Sequence, residues 1–181
     1  MLRVLLLPLI LRSILTEHYN WALWMMAAAG ISDGLDGYLA RKLSQRSAFG
    51  MYLDPIADKL LLSSSFLVLA MTEQIPWLVT GLVLARDGSI IIMVVVLVLT
   101  TPLRKFPPSV MGKLNTVVQL ATIYAVMLDI VYRGSFFHFA RSALMWLTPA
   151  LVIASSVQYA FLMIRKLTKE RKPLEEPNGK T

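Results

Sequence analysis

Asp33, Asp36, Asp54 and Asp58 crowd into one short part of the chain. The first two are three apart and the last two four apart, so on helices each pair shares a face. The stretch between the pairs is short, which predicts two antiparallel helices side by side with all four carboxylates converging on one point. Converging anions repel one another unless they are protonated or neutralised by cations. Hard oxygen donors at this density suit Mg²⁺ or Mn²⁺, with Ca²⁺ a further option. Two ions sharing carboxylates at about 3.5–4 Å form a clamp for in-line displacement at phosphorus.

The residues between the acids fit a site for a large ligand. Gly37 and Ala40 share the face of Asp33 and Asp36, and their small side chains let a ligand approach the backbone. Gly50, Asp54 and Asp58 repeat the design at i, i+4 and i+8. Arg41 follows directly and offers a planar fork for phosphate.

The elements that must position these groups are membrane helices. Of 181 residues, 56% are hydrophobic and 16% charged, with a mean hydropathy of +0.63. A soluble domain carries nearer a quarter charged residues. The length allows one domain, and the lack of cysteine excludes disulfides and thiolate metal sites. The net charge of +7 lies largely between apolar blocks and in the tail, which suits anionic lipid and argues against nucleic acid. Apolar runs over Trp21–Leu39, Tyr52–Met71, Trp77–Thr101, Leu114–Val131 and Ala143–Ile164 approach or exceed the ~20 residues of a span. Arg3–Ile14 is shorter and holds Pro8; Arg12 interrupts its apolar run and no small-residue cleavage site follows, so it reads as a retained first helix. The expected fold is all-α, a membrane bundle of six helices over residues 1–168, with a polar, disordered tail over 169–181. Ala and Met along the spans permit close packing within the chain or in a homodimer.

Lys and Arg alternate along the chain. Arg41, Lys42 and Arg46 make one connection basic, Arg104, Lys105 and Lys113 another, and Arg165, Lys166 and Lys169 the tail. The intervening connections hold Glu17-His18, Glu73-Gln74, and only Arg133 and Arg141. That pattern predicts both termini and the four aspartates on the cytoplasmic side. Acids inside a membrane also serve proton or ion transport, the competing reading at this stage. A transporter leaves the small residues and Arg41 in phase with the carboxylates unexplained, and a scaffold needs none of them.

Asp33-x2-Asp36-Gly37-x2-Ala40-Arg41-x8-Gly50-x3-Asp54-x3-Asp58 resembles, at all eight fixed positions, the signature of the CDP-alcohol phosphatidyltransferase family. Arg3 to Pro8 also looks like the start of that family's first helix, although members usually carry a short Asn/Thr-containing segment before it. The resemblance implies six membrane helices and a two-metal site fed by the four aspartates, facing the cytoplasm or matrix at a bacterial or mitochondrial inner membrane. It implies CDP-diacylglycerol as donor: an acceptor hydroxyl attacks the lipid-side phosphorus and CMP leaves. By position, Asp33, Asp36 and Asp54 are implied metal ligands and Asp58 a ligand or the general base. Gly37, Ala40, Arg41 and Gly50 are implied to hold the cytidine diphosphate. A base must reach the acceptor hydroxyl, and cations offset charge building on phosphate oxygens.

For the acceptor, Lys59, Arg86, Arg104, Lys105 and Lys113 are the basic candidates, and Lys105 also reads as a snorkelling residue. Arg86 stands out, because a charge inside an apolar span serves a cavity or a partner. Its neighbour Asp87 points elsewhere on the helix, so the two are not automatically a pair. Asp54 to Lys59 resembles the glycerol-headed branch, phosphatidylglycerophosphate synthases and cardiolipin synthases, as does Gly112 to Gln119. Glycerol 3-phosphate is the first expectation for the acceptor. Asn115, where glycerophosphate enzymes often have Lys, favours phosphatidylglycerol instead.

Overall fold

The computed structural model describes residues 2–42, 48–100 and 110–171, with side chains for 5–32, 34–35, 59–92 and 111–158. Six helices account for nearly all of it: α1 (Leu2–Leu15), α2 (Tyr19–Lys42), α3 (Ala48–Met71), α4 (Trp77–Thr100), α5 (Val110–Tyr132) and α6 (Ser135–Arg171). No strand occurs among the described residues. The helices follow from long runs of Leu, Ala, Met, Ile and Val, whose side chains offer the backbone no competing hydrogen bonds.

The boundaries extend most of the expected spans by a few residues, with one larger difference. α6 begins at Ser135 rather than Ala143, so Arg141 is a helix residue and not a loop charge. Phe136, Phe137 and Phe139 there are aromatic residues with a helix-compatible pattern that a search for apolar spans passes over. At its other end α6 runs on through Arg171, past the boundary at 168. Pro8 and Pro149 sit inside α1 and α6, where each removes a ladder hydrogen bond.

Three tight turns join α1 to α2, α3 to α4 and α5 to α6, and each is closed by a residue in the left-handed region. Glu17, Glu73 and Arg133 have φ of 59°, 58° and 48°. In the first two turns the chain reverses by a Schellman closure: the N–H of His18 donates to Ser13 O and that of Gln74 to Leu69 O, both at 2.8 Å. In the third, Arg133 N–H donates to Asp129 O at 2.9 Å, and Gly134 follows. Residues of all three turns line one cleft, so they form a single end of the bundle. The basic helix ends at Lys42 and Lys113 therefore face the opposite end.

The helices close into a ring: α1 packs on α2 and α3, α2 on α5, α5 on α6, α6 on α4, and α4 on α3. α5 also touches α3 across the middle. The expected direct pairing of α2 with α3 is absent among the described residues, where α1 packs against both. Ile10 and Ile14 of α1 are fully buried. The core gathers Met26, Phe66, Leu69, Val83, Val126 and Val152 around them.

Polarity is inverted relative to a water-soluble bundle. Trp24, Ile31, Leu78, Ile92, Val117, Phe136 and Trp146 are exposed, the last by 81%, whereas Arg86, Asp87, Gln119, Thr122 and Thr148 are buried. Among the described residues, two stretches, Met111–Tyr132 and Ser135–Gln158, are long and apolar enough to cross a membrane. Leu5–Leu15 and Lys59–Met71 are apolar but shorter. The six-span expectation thus reduces to six helices, two of which pass on length and composition among the described residues. α1, at 14 residues, is only about 21 Å long, and α4 carries two charges at its middle.

Candidate active site

The four aspartates divide between α2 (Asp33, Asp36) and α3 (Asp54, Asp58), well away from the turn-bearing end. Their side chains, with those of Gly37, Ala40, Arg41 and Gly50, lie outside the described residues, and so do Arg104 and Lys105. What the structure describes is a set of polar side chains on α3, α4 and α5.

That set starts at Lys59, the residue after Asp58. Its Nζ lies 2.6 Å from Asp87 Oδ1 on α4, and the same oxygen accepts from Arg86 NH1 at 2.9 Å. Arg86 and Asp87 therefore do pair, which their adjacent positions in the sequence left open. Neighbours on a helix diverge by about 100°, but the long Arg side chain can bend back to its neighbour's carboxylate in apolar surroundings. Their side chains are only 3% and 4% exposed, that of Lys59 25%. Charges this deep in a bundle are costly unless paired or matched by ligand. Lys113, the other basic candidate described, is exposed on α5 and makes no contact with this group among the described residues.

α5 adds neutral groups. Asn115 and Gln119 are 1% and 0% exposed, one turn apart, and neither the nitrogen nor the oxygen of either amide has a hydrogen-bond partner among the described residues. Ser65 Oγ on α3 is likewise buried and unpartnered among them. Further along the same stripe Thr122 bonds Thr148 of α6, Oγ1 to Oγ1, at 2.7 Å. The sequence singled out Asn115 only as a hint to the acceptor, and Gln119 only as part of a motif. The available signal was their spacing: polar residues at 115, 119 and 122 lie on one face of an otherwise apolar helix.

The turn-bearing end holds a second polar group. Buried Asp129 accepts from Arg141 NH1 at 3.1 Å, with His138 Nδ1 at 3.4 Å, and Arg141 NH2 donates to Gln74 O at 2.9 Å. These bonds tie α5 and α6 to the α3–α4 turn beside a cleft of about 890 Å³. The cleft is at the opposite end from Lys42 and Lys113. No cluster of three His, Asp or Glu gathers there or elsewhere among the described residues.

The sequence profile of the CDP-alcohol phosphatidyltransferases matches residues 1–154. The chain belongs to the CDP-alcohol phosphatidyltransferase family. It is 34% identical over 175 residues to the human cardiolipin synthase (CMP-forming), covering 86% of this chain and 56% of that protein. It is 33% identical over 174 residues to the CDP-diacylglycerol–glycerol-3-phosphate 3-phosphatidyltransferase of Aquifex aeolicus, covering 93% and 94%. A probable phosphatidylglycerophosphate synthase of Mycobacterium tuberculosis is 32% identical over 147 residues, or 81% of this chain and 66% of that one. The chain thus spans little more than half the human relative but nearly all of the Aquifex one. As a family member it places the eight-position signature on α2 and α3, and the match runs through α1 to α5 into α6. The Lys59–Asp87–Arg86 group and the buried α5 amides all fall within the matched residues.

Proposed function

We propose that this chain transfers a phosphatidyl group from CDP-diacylglycerol to a glycerol-headed alcohol, with glycerol 3-phosphate as the acceptor, and releases CMP. The observation that carries this reading is the eight-position aspartate signature in a chain of this family. In the reaction the acceptor O–H bond breaks and a new O–P bond forms at the lipid-side phosphorus. The P–O bond to CMP breaks, CMP leaves as the anion, and the proton passes to Asp58 or to water.

Asp33, Asp36, Asp54 and Asp58 form an all-carboxylate donor set that fits two hard divalent cations, Mg²⁺ or Mn²⁺. When bound, such ions neutralise charge on the phosphate oxygens. Arg41, with Gly37, Ala40 and Gly50 leaving the backbone open, holds the cytidine diphosphate. Lys59 and Arg86, both positioned by Asp87, supply the positive field that a phosphate-bearing acceptor needs. Lys113 and, from the sequence, Arg104 are the further basic residues proposed for the acceptor.

The exposed Trp, Leu and Ile side chains support a bundle set in a bilayer, with all six helices crossing or entering it. Arg141 is held by Asp129 and Gln74, and Glu17 and Glu73 stand against Arg133 at the turns, so the turn-bearing end carries no excess of positive charge among the described residues. This supports the basic end facing the cytoplasm or matrix of an inner membrane. A second reading, transfer to phosphatidylglycerol, is favoured by the human relative and by Asn115. The deciding experiment is CMP release from CDP-diacylglycerol by the purified chain in detergent with Mg²⁺. Glycerol 3-phosphate and phosphatidylglycerol are compared as acceptors, with a chelated control. Chelator-sensitive release with glycerol 3-phosphate supports the first reading, and release with phosphatidylglycerol alone the second. Release with no alcohol tested rejects both.

A further inference from the structure

Two described helices pack against both α2 and α3, and they differ in what they bring. α1 brings Ile10 and Ile14, whereas α5 brings Asn115 and Gln119. The three turns line one cleft and give a common baseline for depth, measured along each helix at about 1.5 Å per residue. Asp33 and Asp36 stand about 21 and 26 Å from Tyr19 along α2. Asp58 and Asp54 stand about 20 and 26 Å from Met71 along α3. Gln119 and Asn115 stand about 20 and 26 Å from Tyr132 along α5. The two amides, without partners among the described residues, thus stand at the two levels that the four aspartates take along the backbones of α2 and α3. A buried polar group without a partner is unfavourable, so its persistence in a core implies a group that is present when the site works.

The chemistry of an amide narrows what that group is. Asn and Gln offer a donor and an acceptor without charge. A phosphate offers only acceptors and calls for cations, whereas an alcohol both donates and accepts. Two amides one helical turn apart match neighbouring hydroxyls of a polyol. Ala40 and Arg41, proposed for the nucleotide side, stand about 32 and 33 Å from Tyr19, nearer the basic end than Gln119. The deeper level, with Asp58, is the level of the acceptor.

We propose that Gln119, supported by Asn115, binds the hydroxyl end of the polyol acceptor and orients its attacking oxygen toward the donor phosphorus. This rests on the transferase reading and deepens it by assigning hydroxyl recognition to α5. Phosphate recognition stays with Lys59 and Arg86.

The test uses the full chain in detergent with CDP-diacylglycerol and Mg²⁺, and whichever of glycerol 3-phosphate or phosphatidylglycerol supports CMP release. Gln119→Leu should raise the acceptor KM at least about tenfold and leave the CDP-diacylglycerol KM unchanged. Its melting temperature should stay level or rise, because an unpartnered amide is replaced by an apolar group of similar size. The rise in melting temperature that acceptor gives the wild type should be lost, and Gln119→Asn should recover part of the KM. An unchanged acceptor KM with a lowered melting temperature overturns the proposal in favour of a structural amide. A raised donor KM overturns it in favour of nucleotide binding. Should Gln119→Leu not fold, Asn115→Leu carries the same readouts with a smaller expected KM rise, and a normal acceptor KM there overturns the proposal. Wild-type protein inert toward every acceptor marks failure of the transferase reading instead. The melting shift with glycerol 3-phosphate then still decides whether Gln119 binds a polyol.

Discussion

The two ends of the bundle treat polar groups in opposite ways. At the turn-bearing end the described groups are matched: Schellman closures satisfy the ends of α1 and α3, and Asp129, Arg141 and Gln74 O close on one another. Farther from the turns, Lys59 and Arg86 share one acid, and Asn115 and Gln119 are buried without partners among the described residues. Self-sufficient polar clusters hold helices together, whereas orphan amides inside a low-dielectric core wait for ligand. The difference separates the scaffold from the site more sharply than cavity size does, since a cleft of about 890 Å³ lies at the scaffold end.

Asp54→Asn puts that contrast under the greatest stress. It should lower CMP release by about 100-fold or more, while thermal melting stays within about 2 °C of wild type. Retained activity would remove the shared-carboxylate site. Asp87→Asn comes next, because it withdraws the carboxylate that both Lys59 and Arg86 contact. A loss of about 3 kcal/mol in stability is expected, read as a lower denaturation midpoint together with a raised glycerol 3-phosphate KM. Asp129→Asn probes the other end. It should cost about 2 kcal/mol of stability with kcat/KM unchanged on the protein that remains folded. A matching loss of kcat/KM would show that the turn end takes part in turnover. The smallest effect is Glu73→Gly, which relieves a left-handed φ of 58°. It should stabilise by about 0.5–1 kcal/mol, seen as a raised melting temperature with activity intact.

The helices were legible in the amino-acid order alone, because runs of about 20 apolar residues leave the backbone no partner but itself. Spacing put Asp33 with Asp36 and Asp54 with Asp58 on shared helix faces, and the eight-position signature led to the family that the profile match then established. The alternation of Lys and Arg separated the basic helix ends from the three tight turns. Local rules did not reach the start of α6, because the aromatic and charged residues at 136–141 break the apolar pattern without breaking the helix. They also could not order the ring, in which α1 packs between α2 and α3, since packing order depends on side-chain volume summed over several helices. It took the packed bundle to reveal that Asp87 serves Lys59 and Arg86 together, and that Asn115 and Gln119 lack described partners at the levels that the four aspartates take along the backbones of α2 and α3. A side chain's partner is set by what lies across the helix interface, and that neighbour comes from a distant part of the chain.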